Sequence, residues 1–281
     1  MIEFTKMHGL GNDFIIIDNR DGRLAATYLA DLAPVFCRRN FGIGADGLAV
    51  LGSSSVAPYR MQIFNADGSE AEMCGNAIRC LGKFIWDRGL LKEKSFALET
   101  GAGIKEINLN IRGPKVVSVN VGMGFPILDS EKIPLSGPPR KVVEEAILVE
   151  GNKLCFTAVS MGNPHCVIFV PSLDEIPWKK WGPIIENNPL FPSRTNVEFV
   201  EQINSEAVNV KVWERGAGAT LACGTGACAT VVAGVLTGRL KNIVDVHLPG
   251  GTLKIDWQRK NGNEVFMEGP AEEVFSGRVK S

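Results

Sequence analysis

The chain has 281 residues, 45% hydrophobic and 22% charged, with a net charge of −1. That length suggests two domains, or one large one, with ordinary globular cores. The near-neutral charge gives no signal for nucleic acid or an anionic membrane surface, and the longest apolar stretch, 227–236, falls short of the ~18 residues a membrane-spanning helix needs.

Residues 2–6 read as a strand, followed by the glycine-rich turn His8-Gly9-Leu10-Gly11-Asn12-Asp13 and the apolar strand 14–17. Residues 28–39 are moderately helical, with Pro34 expected to kink or shorten the helix. Gly42-Ile43-Gly44-Ala45-Asp46-Gly47 is a turn-forming loop, and its third glycine is one residue late for a dinucleotide fingerprint. The strand 59–64 delivers Asn65 to a loop marked by Asp67-Gly68. Residues 74–88 form a helix with apolar residues at Ala77, Ile78, Leu81, Phe84 and Ile85, closed by Gly89. Short strands follow at 96–99, 104–111 and 116–121.

Residues 124–151 are rich in proline, glycine and charge and read as a surface insertion, with a domain boundary near 123. A strand at 154–159, a turn at Ser160-Met161-Gly162-Asn163-Pro164-His165 and a buried strand at 166–170 lead to a short helix at 176–187. Strands at 197–200 and 208–212 precede the helix 223–236. That helix is apolar on nearly every face, so it belongs inside a layer of strands. Strands at 244–248, 253–257 and 265–268 finish the chain.

Two stretches are copies of each other. Phe64-Asn65 through Met73-Cys74-Gly75-Asn76 and Trp213-Glu214 through Ala222-Cys223-Gly224-Thr225 register at an offset of 149, and each Cys-Gly opens a helix. Gly11-Asn12 and Gly162-Asn163 precede the two cysteines by similar distances. This duplication predicts an α+β fold of two pseudo-symmetric domains. Each is a mixed or antiparallel sheet or barrel around a central helix, with the active site in the cleft between them.

A cysteine at a helix start sees the positive end of the helix dipole and unpaired N–H groups, both of which favour thiolate. The same N–H groups, from Gly75-Asn76 and Gly224-Thr225, can hold a carboxylate. Two such loops could grip an α-amino acid, one thiolate taking the α-proton and the opposite thiol returning one. The remaining cysteines, Cys37, Cys80, Cys155, Cys166 and Cys228, read as small buried hydrophobes. An odd count without Cys-x-x-Cys indicates free thiols in a reducing compartment, and neither a zinc ribbon nor a redox pair. No cationic segment leads into an apolar run at the N-terminus, so no signal peptide is expected.

The segments 8–14, Met73-Cys74-Gly75-Asn76-Ala77-Ile78-Arg79-Cys80, Gly162-Asn163-Pro164-His165, 213–216 and 222–226 resemble, in order and over nearly the whole chain, the diaminopimelate epimerase family. The resemblance implies a cofactor-independent and metal-free isomerase interconverting LL- and meso-diaminopimelate, for lysine and peptidoglycan-precursor synthesis. It also implies a homodimer in a cytoplasmic or plastid setting, of which the cytoplasm is expected here, and domains at 1–123, with 269–281 returning to it, and 124–268. It makes Cys74 and Cys223 the acid and base. The amides of Gly75, Asn76, Gly224 and Thr225 would hold the reacting carboxylate, and Glu214 its ammonium. Asn12, Asn65, Asn163, Asn196 and Arg215 would orient the rest, with His165 and Glu214 tuning the thiols. Arg215 suits a carboxylate through its bidentate fork. Gly47 stands where some members carry glutamine. The competing readings are a proline-racemase-like enzyme and a non-catalytic thiol redox sensor joining Cys74 to Cys223.

Overall fold

The computed structural model describes residues 1–280. The chain divides into two compact units, Met1–Gly122 with the segment from Glu268 onward, and Met123–Met267.

Unit 1 begins with β1 (Ile2–Gly9) and β2 (Asn12–Asp18). Gly9 pairs with Asn12, so only Leu10 and Gly11 make the turn, at φ 57° and 83°. Positive φ at both central residues is what a two-residue hairpin needs to match the strand twist, and glycine meets it without strain. There follow α1 (Ala26–Phe36), β3 (Gly47–Gly52), β4 (Tyr59–Asn65), β5 (Glu70–Ala71), α2 (Gly75–Asp87), β6 (Ser95–Thr100), β7 (Gly103–Arg112) and β8 (Lys115–Gly124). Helix α2 buries the stripe expected from its spacing: Ala77, Ile78, Leu81, Phe84 and Ile85. It lies so close to β7 and β8 that a Cβ on Gly82 would stand 3.2 Å from Ile107 and Val119. Its apolar face packs among strands, which gives it more stability than helix propensity alone would.

Unit 2 contains β9 (Glu145–Val149), β10 (Asn152–Ser160), β11 (Pro164–Val170), α3 (Trp178–Glu186), β12 (Asn196–Asn204), β13 (Ala207–Glu214), β14 (Gly218–Thr220), α4 (Gly224–Leu236), β15 (Ile243–Leu248) and β16 (Gly251–Trp257), before β17 (Val265–Gly269). Helix α4 is buried almost throughout, against β10, β11, β12, β15 and β16. Burying Val231 and Val232 contributes roughly 1.5–3 kcal/mol each. The last strand, β18 (Glu272–Val279), pairs antiparallel with β1 and so closes unit 1.

The strand pairings prove the duplication. In unit 1, β1–β2 is antiparallel, β2–β3 parallel, β3–β4 antiparallel, β4–β6 parallel and β6–β7 antiparallel. In unit 2, β10–β11, β11–β12, β12–β13, β13–β15 and β15–β16 repeat that series. The helices fall at the same places in each. The fold is α+β, a mixed sheet around a central helix in each unit.

Three local expectations need correction. Gly47, expected to end a loop, opens the strand 47–52, which has no counterpart among the expected elements: Leu48, Ala49, Val50 and Leu51 are fully buried between β2 and β4. The stretch 124–151 is not a surface insertion only. Ile133, Leu135, Val142, Ile147 and Val149 join the unit 2 core, and β9 pairs with β10. The turn after Ser160 ends at Asn163, so Pro164 and His165 belong to β11.

Candidate active site

Each Cys-Gly pair sits where sheet gives way to central helix. Cys74 is the extended residue before α2 (φ −142°, ψ 118°), and Cys223 stands in the same position before α4 (φ −124°, ψ 113°). The first intrahelical bonds run from Ile78 N–H to the Cys74 carbonyl and from Ala227 N–H to the Cys223 carbonyl, both 3.0 Å. The amides ahead of them, including those of Gly75, Asn76, Gly224 and Thr225, lie outside that ladder at the positive end of the helix.

In unit 1, the Asn12 carboxamide links two elements. Its Oδ1 accepts from Asn76 Nδ2 at 2.9 Å and lies 3.8 Å from Cys74 Sγ, and its Nδ2 donates to Asp46 at 2.8 Å. Arg39 bonds both Asp13 and Asp46, and Lys6 reaches Asp13 at 2.7 Å. Burial works to raise the Asp13 carboxyl, but Arg39 and Lys6 outweigh it and hold it at about 2. Beneath the first turn of α2 lies Arg79, fully buried. It donates to the Gly75 carbonyl at 3.2 Å, to Asn76 Oδ1 at 2.9 Å and to the Pro270 carbonyl at 3.3 Å. Asn65, at the end of β4, donates to Ser69 Oγ at 2.9 Å. Gly47 pairs with both Phe14 and Asn65, and a Cβ there would stand 3.0 Å from the Phe64 carbonyl. A side chain at that position would crowd the backbone.

In unit 2, Cys223 Sγ accepts from Gly226 N–H at 3.3 Å and lies 3.5 Å from Thr225 Oγ1. Glu214 accepts from Thr220 at 2.5 Å. Burial raises the Glu214 carboxyl, Thr220 works against that, and Glu198 adds to it. The thiol of Cys223 departs from the expectation. Burial first, then the charges of Glu214 and Glu198, push it well above its ordinary range, while Thr225 and Gly226 only oppose this. The helix terminus does act in the predicted direction, but desolvation and two carboxylates outweigh it.

His165 lies wholly buried in β11, with Nδ1 2.7 Å from Glu198 Oε1 and Nε2 3.0 Å from Asn163 Oδ1. Asn196 uses both ends of its side chain on the backbone: Nδ2 donates to the Pro164 carbonyl and Oδ1 accepts from Arg215 N–H. It thereby braces Arg215, whose guanidinium donates to the Ser193 carbonyl at 3.1 Å. Glu186 of α3 was not among the expected residues. It accepts from Trp213 Nε1 and Gly216 N–H, both 2.8 Å, and fixes the two ends of the Trp213–Gly216 turn. Glu198 was also missed. Its one signal is a charge inside the apolar run Val197-Glu198-Phe199-Val200.

The fold of two duplicated units, each a mixed sheet around a central helix, is shared by proteins of known structure. A phenazine biosynthesis protein of the PhzF family from Bacillus anthracis superposes with TM-score 0.72 at 19% identity, over 100% of this chain and 99% of its own. A hydroxyproline epimerase from Agrobacterium vitis superposes with TM-score 0.70 at 16% identity, over 98% and 91%. At those identities the likeness concerns the fold alone.

The chain belongs to the diaminopimelate epimerase family, whose model matches residues 4–128 and 157–274. A diaminopimelate epimerase of Pelotomaculum thermopropionicum is 51% identical over 276 residues, 98% of each chain. One from Methanococcus maripaludis is 46% identical over 278 residues, 99% of each.

Proposed function

We propose that this protein interconverts LL- and meso-diaminopimelate by exchanging the α-proton between two cysteines, with no cofactor or metal. Family membership supports the substrate and its place in lysine and peptidoglycan-precursor synthesis. The observation that carries the mechanism is the pair of cysteines standing before the buried helices α2 and α4 at equivalent points of a duplicated fold.

The substrate carboxylate is held by the amides of Gly75, Asn76, Gly224 and Thr225, and its ammonium by Glu214. Asn12, Asn65, Asn163 and Arg215 take the distal amino-acid end, with Asn196 fixing Arg215 and His165 tuning the thiols. An ammonium beside Glu214 offsets the negative charge that keeps Cys223 protonated, so bound substrate lowers the cost of its thiolate. One thiolate takes the α-hydrogen: the C–H bond breaks, an S–H bond forms, and the electron pair spreads into the carboxylate. The other thiol gives its proton to the opposite face. The stereocentre inverts and the two cysteines have exchanged protonation states. General acid–base steps of this kind contribute typically 10²–10⁴-fold each.

Among the described residues, no helix is long and apolar enough to cross a membrane. We place the enzyme in the cytoplasm as a homodimer, without nucleic-acid or membrane partners. A proline-racemase-like activity fits less well, because Asn12, Asn65, Asn163 and Arg215 would have no distal charged group to hold. The test is turnover of LL-diaminopimelate in deuterated water. The expected product is meso-diaminopimelate with one deuterium at the inverted carbon. Activity lost on chelation and restored by metal would overturn the reading, and absence of any exchange would favour a redox-sensing thiol protein.

A further inference from the structure

Glu198 has no part in the mechanism above, yet it is the most unusual charge in unit 2. It lies in β12, 0% exposed. One oxygen meets His165 Nδ1 at 2.7 Å, and the other, Oε2, is buried without a hydrogen-bond partner. A buried carboxylate is costly unless fully paired, so an orphaned oxygen at such a position calls for a reason.

Its surroundings supply one. A Cβ built on Gly226 would stand 2.6 Å from Glu198 Oε1 and 3.3 Å from Cys223 Sγ. Carboxylate, imidazole and the first turn of α4 therefore converge, and glycine at 226 leaves the room. The same residue, Gly226, donates its N–H to Cys223 Sγ. The titratable groups facing this point are His165 and Cys166 from β11, Glu214 from β13 and Cys223 at the start of α4. At the matching place the other half has no carboxylate. Phe14 pairs with Gly47 in the parallel β2–β3 ladder as His165 pairs with Asn196 in β11–β12, and two residues on, Ala49 occupies the place of Glu198.

We propose that Glu198 is a positioning residue of the two-thiol reaction: it fixes the His165 ring and, by its charge beside the first turn of α4, keeps Cys223 proton-loaded until substrate arrives. Cys223 then starts the cycle from LL-diaminopimelate as the acid. This rests on the epimerase reading given above.

The test follows the thiols directly and through catalysis. Enzyme labelled with [13Cβ]cysteine is titrated without substrate, the Cys223 signal being assigned by its loss in Cys223→Ser. The pH dependence of kcat/KM for LL-diaminopimelate is measured alongside for wild type, Glu198→Gln and Glu198→Asp. In Glu198→Gln the Cys223 thiolate forms at a pH lower by roughly one unit, and the alkaline limb of kcat/KM moves down with it. In Glu198→Asp, which keeps the charge, the limb stays near its wild-type position while kcat falls. Equal shifts in both variants would reduce Glu198 to a packing residue and overturn the proposal, as would no shift in either. Should Glu198→Gln fail to fold, the wild-type titration still decides: Cys223 already thiolate at pH 7 without substrate contradicts the proposal. A wild-type enzyme that leaves the α-hydrogen of diaminopimelate unexchanged refutes the epimerase reading instead, and the thiol titration stands apart from it.

Discussion

The two halves follow one chain path and place different charged groups around the helices that their cysteines precede. Under the first turn of α2 lies the buried guanidinium of Arg79, and the neighbouring Lys6–Asp13–Arg39–Asp46 network holds Asp13 ionised. Around the first turn of α4 lie Glu214 and Glu198, and both the Glu214 carboxyl and the Cys223 thiol are pushed toward their neutral forms. The offset of 149 places Cys228 where the first half has Arg79, and Glu214 where it has Asn65. Duplication supplies two equivalent backbone cradles, and a few side-chain differences make one of them favour a thiol.

Breaking either cradle should have the largest effect. Cys74→Ser or Cys223→Ser is expected to lower epimerisation kcat by about 10²–10⁴-fold or more, because serine is too weak a base to take the α-proton. Steady-state rates with LL-diaminopimelate check this, and a near-wild-type single mutant would remove that cysteine from the chemistry. Arg215→Lys comes next. Lysine keeps the charge but not the planar fork, and losing a charge-assisted hydrogen bond costs on the order of 1.5–3 kcal/mol. That amounts to roughly ten- to hundredfold in kcat/KM. Unchanged efficiency would place Arg215 outside the substrate site.

Stability sharpens the contrast because the two halves respond with opposite sign. Asp13 is held below its unfolded value of 3.8, at about 2. Its stabilisation is therefore present above pH ~4 and lost as pH falls toward 2. Its shift corresponds to about 2 kcal/mol at most, and solvent screening brings this to roughly 1–2 kcal/mol. Asp13→Asn should lower Tm at pH 7 and flatten the loss below pH 4. Glu214 is raised from 4.5, so its contribution is full below that pH and lost as pH rises through the folded value. Glu214→Gln should thus raise Tm at pH 8 while sharply reducing kcat/KM. Paired thermal melts check both signs, and a loss of Tm in Glu214→Gln at pH 8 would show that its ionised form is well solvated.

The paired Cys-Gly helices, their apolar faces and the duplication were legible because each has a period or a repeat that needs no partner to be seen. Strand β3 was not, because its glycines read as a loop and its apolar run takes meaning only between β2 and β4. Strand β9 hid in a stretch whose prolines and charges outweigh five core residues in any local reading. Around the two cysteines, the hydrogen-bond partners of the candidate residues could not be read from the sequence. Asn196 turns out to brace Arg215, and the Cys223 thiol is raised first by burial, then by Glu214 and by Glu198, 25 positions upstream in β12. Helix-terminus chemistry is local and readable, but desolvation depends on what the fold brings around the thiol.

The central claim, one thiol for each face of one carbon, is tested most directly with a diaminopimelate analogue carrying a leaving group on the β-carbon. Abstraction of the α-proton alone then releases product, so each base is read separately. Cys74→Ser and Cys223→Ser are each assayed with both configurations at the reacting carbon. The account predicts that each variant eliminates from one configuration only, and that the two variants choose opposite ones. Both variants processing both configurations at equal rates would mean that a single base serves both faces.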